Sequence, residues 1–139
     1  MIRHPHALLL HQCIQATQRG DPETLRALWA EDIVWRVQGA SPWHGEMRGA
    51  DAICEFLAQM GEIGSGYDIS IDDVLVSNER AAVLCHIKAE IDGRTLDADY
   101  VLICRIEHRR IHEVDSIPLT PDQVAEFWHA STSSKILSR

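Results

Sequence analysis

Near Gly66 the hydrophobic period of this chain changes from helical spacing to alternation. Upstream, Ile53, Phe56, Leu57 and Met60 fall at i, i+3, i+4 and i+7, one face of a helix. Downstream, strands are expected over 69–76, 82–91, 96–106 and 111–117, with turns at Asn78-Glu79, Asp92-Gly93 and residues 107–110. Asp-Gly is the strongest of these signals, because a two-residue hairpin loop needs positive φ at both centres. Helices first and an antiparallel meander afterwards mean an α+β chain, its helices packed on one face of a sheet.

The first half divides at its capping residues. Leu9, Leu10, Cys13, Ile14 and Ala16 keep to one side of a helix over 7–19, which Gly20 ends. Asp21-Pro22 starts the next helix, since Asp caps free amides and Pro suits the first turn. Leu25, Leu28 and Trp29 form its buried face. Residues 33–37 are β-branched and aromatic, a strand. Gly39, Ser41-Pro42 and Gly45 break the connection that follows, and Gly49 and Asp51 open the third helix. Residues 122–128 form a closing helical turn, and 1–6 and 131–139 read as flexible ends of one domain spanning 1–139.

Charge narrows the partners. Asp and Glu outnumber Lys and Arg by 21 to 13, a net charge of −8. Such a surface repels phosphate backbones, so no nucleic acid is expected, and no basic run suits an anionic membrane. The apolar stretch at 7–10 is too short for a signal or spanning segment, which makes the cytoplasm the default expectation. Four cysteines, none in a CxxC pair, read as reduced, buried thiols. No metal site and no cofactor are expected.

Three local patterns carry a resemblance. Gly20-Asp21 followed by Ala27-Leu28-Trp29-Ala30-Glu31-Asp32, then Gly45-x-x-x-Gly49, then Arg110-Ile111-His112-Glu113 stand in order and at fitting spacing. Together they resemble the SnoaL-like and ketosteroid-isomerase-like members of the nuclear transport factor 2-like superfamily. The resemblance implies a cone-shaped, cystatin-like roll: a curved antiparallel sheet with three N-terminal helices on its concave face, enclosing an apolar pocket. It also implies what is missing. The ketosteroid isomerase base and its two oxyanion donors fall at Val37, Cys13 and Val101. Arg94 and Arg105 do not fit the Arg of limonene-epoxide hydrolases. The acidic residue of SnoaL-type cyclases falls at Ser116, or at Asp115 after a one-residue slip, which would reverse the facing of the strand.

The same register sets Trp35, Val37, Val83, Cys85, Ile87, Asp99, Val101, Ile103, His112, Val114 and Ser116 on the inner side, with Cys13, Trp43 and His44 also at the pocket. His112 is the candidate base; Asp99 or Asp115 would orient it or relay a proton, and Ser116 would donate a hydrogen bond. The ligand is then a small hydrophobic molecule. Leu84, His86, Tyr100, Leu102 and Cys104 are expected on the opposite face, hidden by a homodimer. Two functions remain open: a cofactor-free isomerase, cyclase or lyase, or a dimeric binding module without chemistry.

Overall fold

The computed structural model describes residues 4–38, 45–63, 68–91 and 93–127. Helix α1 (Pro5–Arg19) starts ahead of its apolar period, because Pro5 suits a first turn and the Nδ1 of His4 accepts from the amide of His6 at 3.1 Å. Gly20 ends it at φ 67, its amide reaching the carbonyls of Ala16 and Thr17. Helix α2 (Pro22–Leu28) is capped by Asp21, which accepts from the Thr24 amide and hydroxyl at 3.2 and 2.6 Å. These bonds, with Arg19, hold the Asp21 carboxyl below its ordinary pKa. Trp29 does not continue α2; it opens strand β1 (Trp29–Val37). Its bulk joins the core from a strand instead of a helix.

Strand β2 (Gly45–Arg48) forms where the sequence reads as a broken connection. It pairs antiparallel with β1, Met47 opposite Trp35, and Met47 packs on the core. Helix α3 (Ala50–Ile63) follows Gly49, whose φ is 86. Strands β3 (Asp68–Val76), β4 (Arg80–Ile91), β5 (Arg94–Glu107) and β6 (Arg110–Pro118) make the meander. Residues 121–127 are helical and bring Val124 and Phe127 to the core. No helix among the described residues is long and apolar enough to cross a membrane.

The sheet has six strands in the order β2-β1-β6-β5-β4-β3. It is mixed, not purely antiparallel: β1 runs parallel to β6, with Trp35 opposite Val114 and Val37 opposite Ser116. One face is buried. Ala81, Val83, Cys85, Ile87 and Ala89 of β4 point there, and so do Leu96, Ala98, Tyr100, Leu102, Cys104 and Ile106 of β5. Leu9, Leu10, Cys13 and Ala16 of α1, Leu25 of α2 and Ile53 of α3 close on them in one core. Fully burying a side chain such as Leu or Ile contributes about 1.5–3 kcal/mol, so this face is the main source of stability.

The facing of β5 is thus the reverse of the expectation. Asp99, Val101 and Ile103 stand on the outer face, while Tyr100, Leu102 and Cys104, expected outside, are core. Asp97, Asp99, Arg105 and Glu107 occupy the alternate positions, and burying that row would strand four charges. In β6 a bulge intervenes: Ile106 pairs with Ile111 and Arg105 with Glu113, leaving His112 as the extra residue. Ile111 therefore takes the inner place, and Val114 and Ser116 follow it inside.

Candidate functional site

Between α1 and the inner face lies an apolar hollow. Helix α1 gives it Leu10, Cys13, Ile14 and Thr17; β1 gives Trp29 and Trp35. The sheet floor is Val83, Leu102, Cys104, Ile111 and Val114. The i, i+3, i+4, i+7 spacing of the four helical residues puts them on one stripe. The two indoles meet edge to face, centroids 6.2 Å apart and planes at 71°. Space open to the centre of a water-sized sphere is about 40 Å³. A water needs ~10–15 Å³ by that measure, whereas ligand pockets run to ~300–1,000 Å³. A guest of more than a few heavy atoms must therefore push the lining apart.

The polar groups at this wall are few. Thr17 Oγ1 donates to the Cys13 carbonyl at 2.9 Å and is thereby occupied. Burial pushes the Cys13 thiol up to about 12 and raises that of Cys104 further. Both are protonated at neutral pH and poor nucleophiles. Cys85, beside them on the inner face, is also pushed to about 12. Trp29 is 2% exposed, yet neither its indole N–H nor that of Trp35 meets a hydrogen-bond acceptor among the described residues. Ser116, 9% exposed and two residues beyond Val114, is on the same face but does not line the hollow.

On the far side of Trp29 a wider cleft holds Arg26, Arg48, Arg110, Glu31 and Asp51. Its volume, about 520 Å³, is much larger. Two of its charges pair across it, Arg26 with Asp51 at 2.5 Å, and Arg48 meets Glu46 beside it at 2.9 Å. Size alone does not make it a site, and the apolar hollow is the better candidate for an apolar guest.

The structure brings together Cys13, Trp35, Val83 and Val114 of the expected set. Cys85 and Ile87 are buried on the same face but do not line the hollow, and Val37 is half-buried opposite Ser116. Trp43 and His44 lie outside the described residues. Ser116, not Asp115, faces inward; Asp115 stands outside, 3.5 Å from Arg36. Asp99 is outside too, its Oδ1 2.7 Å from His86 Nδ1. The bulge turns His112 away from the lining and toward exposed Asp32, Nδ1 to Oδ1 4.0 Å. The expected inward imidazole is therefore corrected. Leu10, Ile14, Thr17, Trp29, Leu102, Cys104 and Ile111 are lining residues outside the expected set. The strict alternation of β5 was the signal for two of them.

Outside, Glu113 bridges Arg36 at 2.8 Å and Arg105 at 2.5 Å, and these bonds hold its carboxyl below the ordinary pKa. His86 lies between two carboxylates, hydrogen-bonded to Asp99 and in contact with Asp97. Its pKa is raised, first by the bond to Asp99 and against a smaller desolvation effect. No cluster of three or more metal-type ligands occurs among the described residues.

Fold and site define a small α+β protein with a mixed sheet and an apolar hollow under its first helix. The SnoaL-like domain family matches residues 10–114, three quarters of the chain, and the chain belongs to that family. A protein with a cystatin-like fold from Xanthomonas campestris is 30% identical, with TM-score 0.78 over 86% of this chain and 95% of its own. Bal32a, from a soil-derived mobile gene cassette, superposes with TM-score 0.84 at 24% identity, covering 89% of this chain and 96% of its own. TerC, co-crystallised with polyporic acid, shares the fold at TM-score 0.76 and 17% identity, over 84% and 93%. No curated protein matches the sequence.

Proposed function

We propose that this SnoaL-like protein binds a small, neutral, mostly apolar molecule in the hollow under α1. The wall carries the reading: apolar side chains, one buried and one half-buried indole, and no ionised group among the described lining residues. A charged guest would lose its hydration there without a partner. A ring bearing a carbonyl or hydroxyl oxygen would bury its apolar part and offer an acceptor to Trp29 or Trp35. TerC, which shares the fold, was co-crystallised with polyporic acid. The net charge of −8 also favours a small molecule over nucleic acid.

The test is calorimetric titration with a ring ketone such as 1-indanone. The wild-type chain is expected to bind it. Leu102→Trp, which fills the hollow, should abolish binding, and Trp35→Phe should weaken it about two- to tenfold, one hydrogen bond's worth. Binding unchanged in Leu102→Trp contradicts the site.

A cofactor-free isomerase, cyclase or lyase acting in the hollow would need a base on its lining, and His112, turned toward Asp32, does not stand there. We infer a homodimer through the outer face. Leu84 and His86 stand on that face, joined by Val101 and Ile103 in place of Tyr100, Leu102 and Cys104.

A further inference from the structure

We propose that the wide cleft beside Trp29 binds a small α-amino acid as its zwitterion, Arg110 meeting the carboxylate and Glu31 the ammonium group. This site is separate from the apolar hollow, although Trp29 borders both.

The pairing of the charges in the cleft decides what it can hold. Helix α2 and strand β2 each give it an arginine, Arg26 and Arg48; α3 gives Asp51; the first residues of β1 and β6 give Glu31 and Arg110. Arg26 is taken by Asp51 across the cleft at 2.5 Å. Arg48 is taken by Glu46, which accepts from its Nε and Nη2 at 3.1 and 2.9 Å. Glu31 and Arg110 are left. Neither meets a counter-ion or a hydrogen-bond partner among the described residues.

Both free charges stand where the β1–β6 ladder breaks. Trp29 pairs with Ile111 and Val34 with Glu113, so residues 30–33 of β1 face His112 alone. A bulge re-aims the side chains it carries. Glu31 lies within this one, and Arg110 stands one residue before the Ile111 pair. Asp32 and His112 share the break but do not line the cleft; they face each other at 4.0 Å.

The opposite signs of Glu31 and Arg110 select the occupant. A simple anion at Arg110 would share the space with the Glu31 carboxylate. A simple cation at Glu31 would share it with the Arg110 guanidinium. Like charges brought together oppose binding. An α-amino acid carries both signs on one carbon and satisfies the two groups at once. Its side chain then lies toward the buried Trp29 and Ala30. The volume of about 520 Å³ suits a small molecule. Affinity is modest, on the order of millimolar, because exposed charge pairs each contribute little.

Three probes with one tail read the selection. Pentanoate is norvaline without the ammonium group, and butylamine is norvaline without the carboxylate. In NMR titrations at constant ionic strength, L-norvaline should give saturable shifts at the amides of Ala30, Glu31 and Arg110. Pentanoate and butylamine should each bind roughly tenfold more weakly or worse. Glu31 and Arg110 are exposed, so Glu31→Gln and Arg110→Gln leave the fold intact. Each should weaken norvaline about fivefold. Glu31→Gln should also tighten pentanoate, which a merely structural role for Glu31 would not do. No saturable shift with norvaline overturns the site. Pentanoate binding as tightly as norvaline makes the cleft an anion site and overturns the zwitterion. Norvaline binding unchanged by either substitution places the ligand elsewhere and overturns the assignment.

Discussion

At the scale of single residues, His86 gives the clearest pH dependence. Its ring is held between Asp97 and Asp99, and the folded pKa lies above the ordinary 6.5. A His with a raised folded pKa contributes stability that is fully present below its unfolded pKa and lost as pH rises through the folded value. Melting curves of wild type and His86→Asn should therefore differ by a constant amount below about pH 6.5 and converge above the raised value. A gap that widens with rising pH would reverse the assignment. Residue identity made some of the site legible. Leu10, Cys13 and Ile14 announce an apolar helix face, and Cys13 does line the hollow. Trp29 was not legible as lining, because its place depends on α2 stopping one residue earlier.

At the scale of elements, the last hairpin is the unusual one. His108 and Arg109 both adopt positive φ, 51 and 63, in a two-residue loop closed by Glu107 and Arg110. That backbone is the mirror-image turn that suits right-twisted strands, and it normally takes Asn-Gly. Left-handed backbone costs an ordinary residue roughly 1–2 kcal/mol, partly offset by the entropy a Gly loses. His108→Asn with Arg109→Gly should stabilise the protein by about 1 kcal/mol in urea denaturation. Loss of stability would mean that the two side chains hold contacts outweighing the strain. The strands themselves were legible from alternation, and β5 shows where such reading slips. Its charged row, Asp97, Asp99, Arg105 and Glu107, declares the outer face more firmly than any family register. The bulge at His112 was not legible, since the extra residue breaks parity without a Gly or Pro to mark it. Nor was the parallel pairing of β1 with β6, a contact between segments far apart in sequence.

At the scale of the molecule, order and spacing of elements carried the family, and a match over residues 10–114 establishes it. The architecture delivers one stripe of α1 and two tryptophans onto an apolar floor. It places every ionised residue of β5 and β6 named above on the other side of the sheet or at its rim. The same alternation that makes the inner face a core puts the charged residues of β5 on the outer face. The proposed ligand lies on the inner side of the sheet. The direct measurement is a methyl-resolved NMR titration with 1-indanone. Shifts are expected at the methyls of Leu10, Ile14, Val83, Leu102, Ile111 and Val114, with Leu75, Leu84, Val101 and Ile103 unmoved. Shifts on the outer four, or none on the inner six at saturating ketone, would contradict that placement.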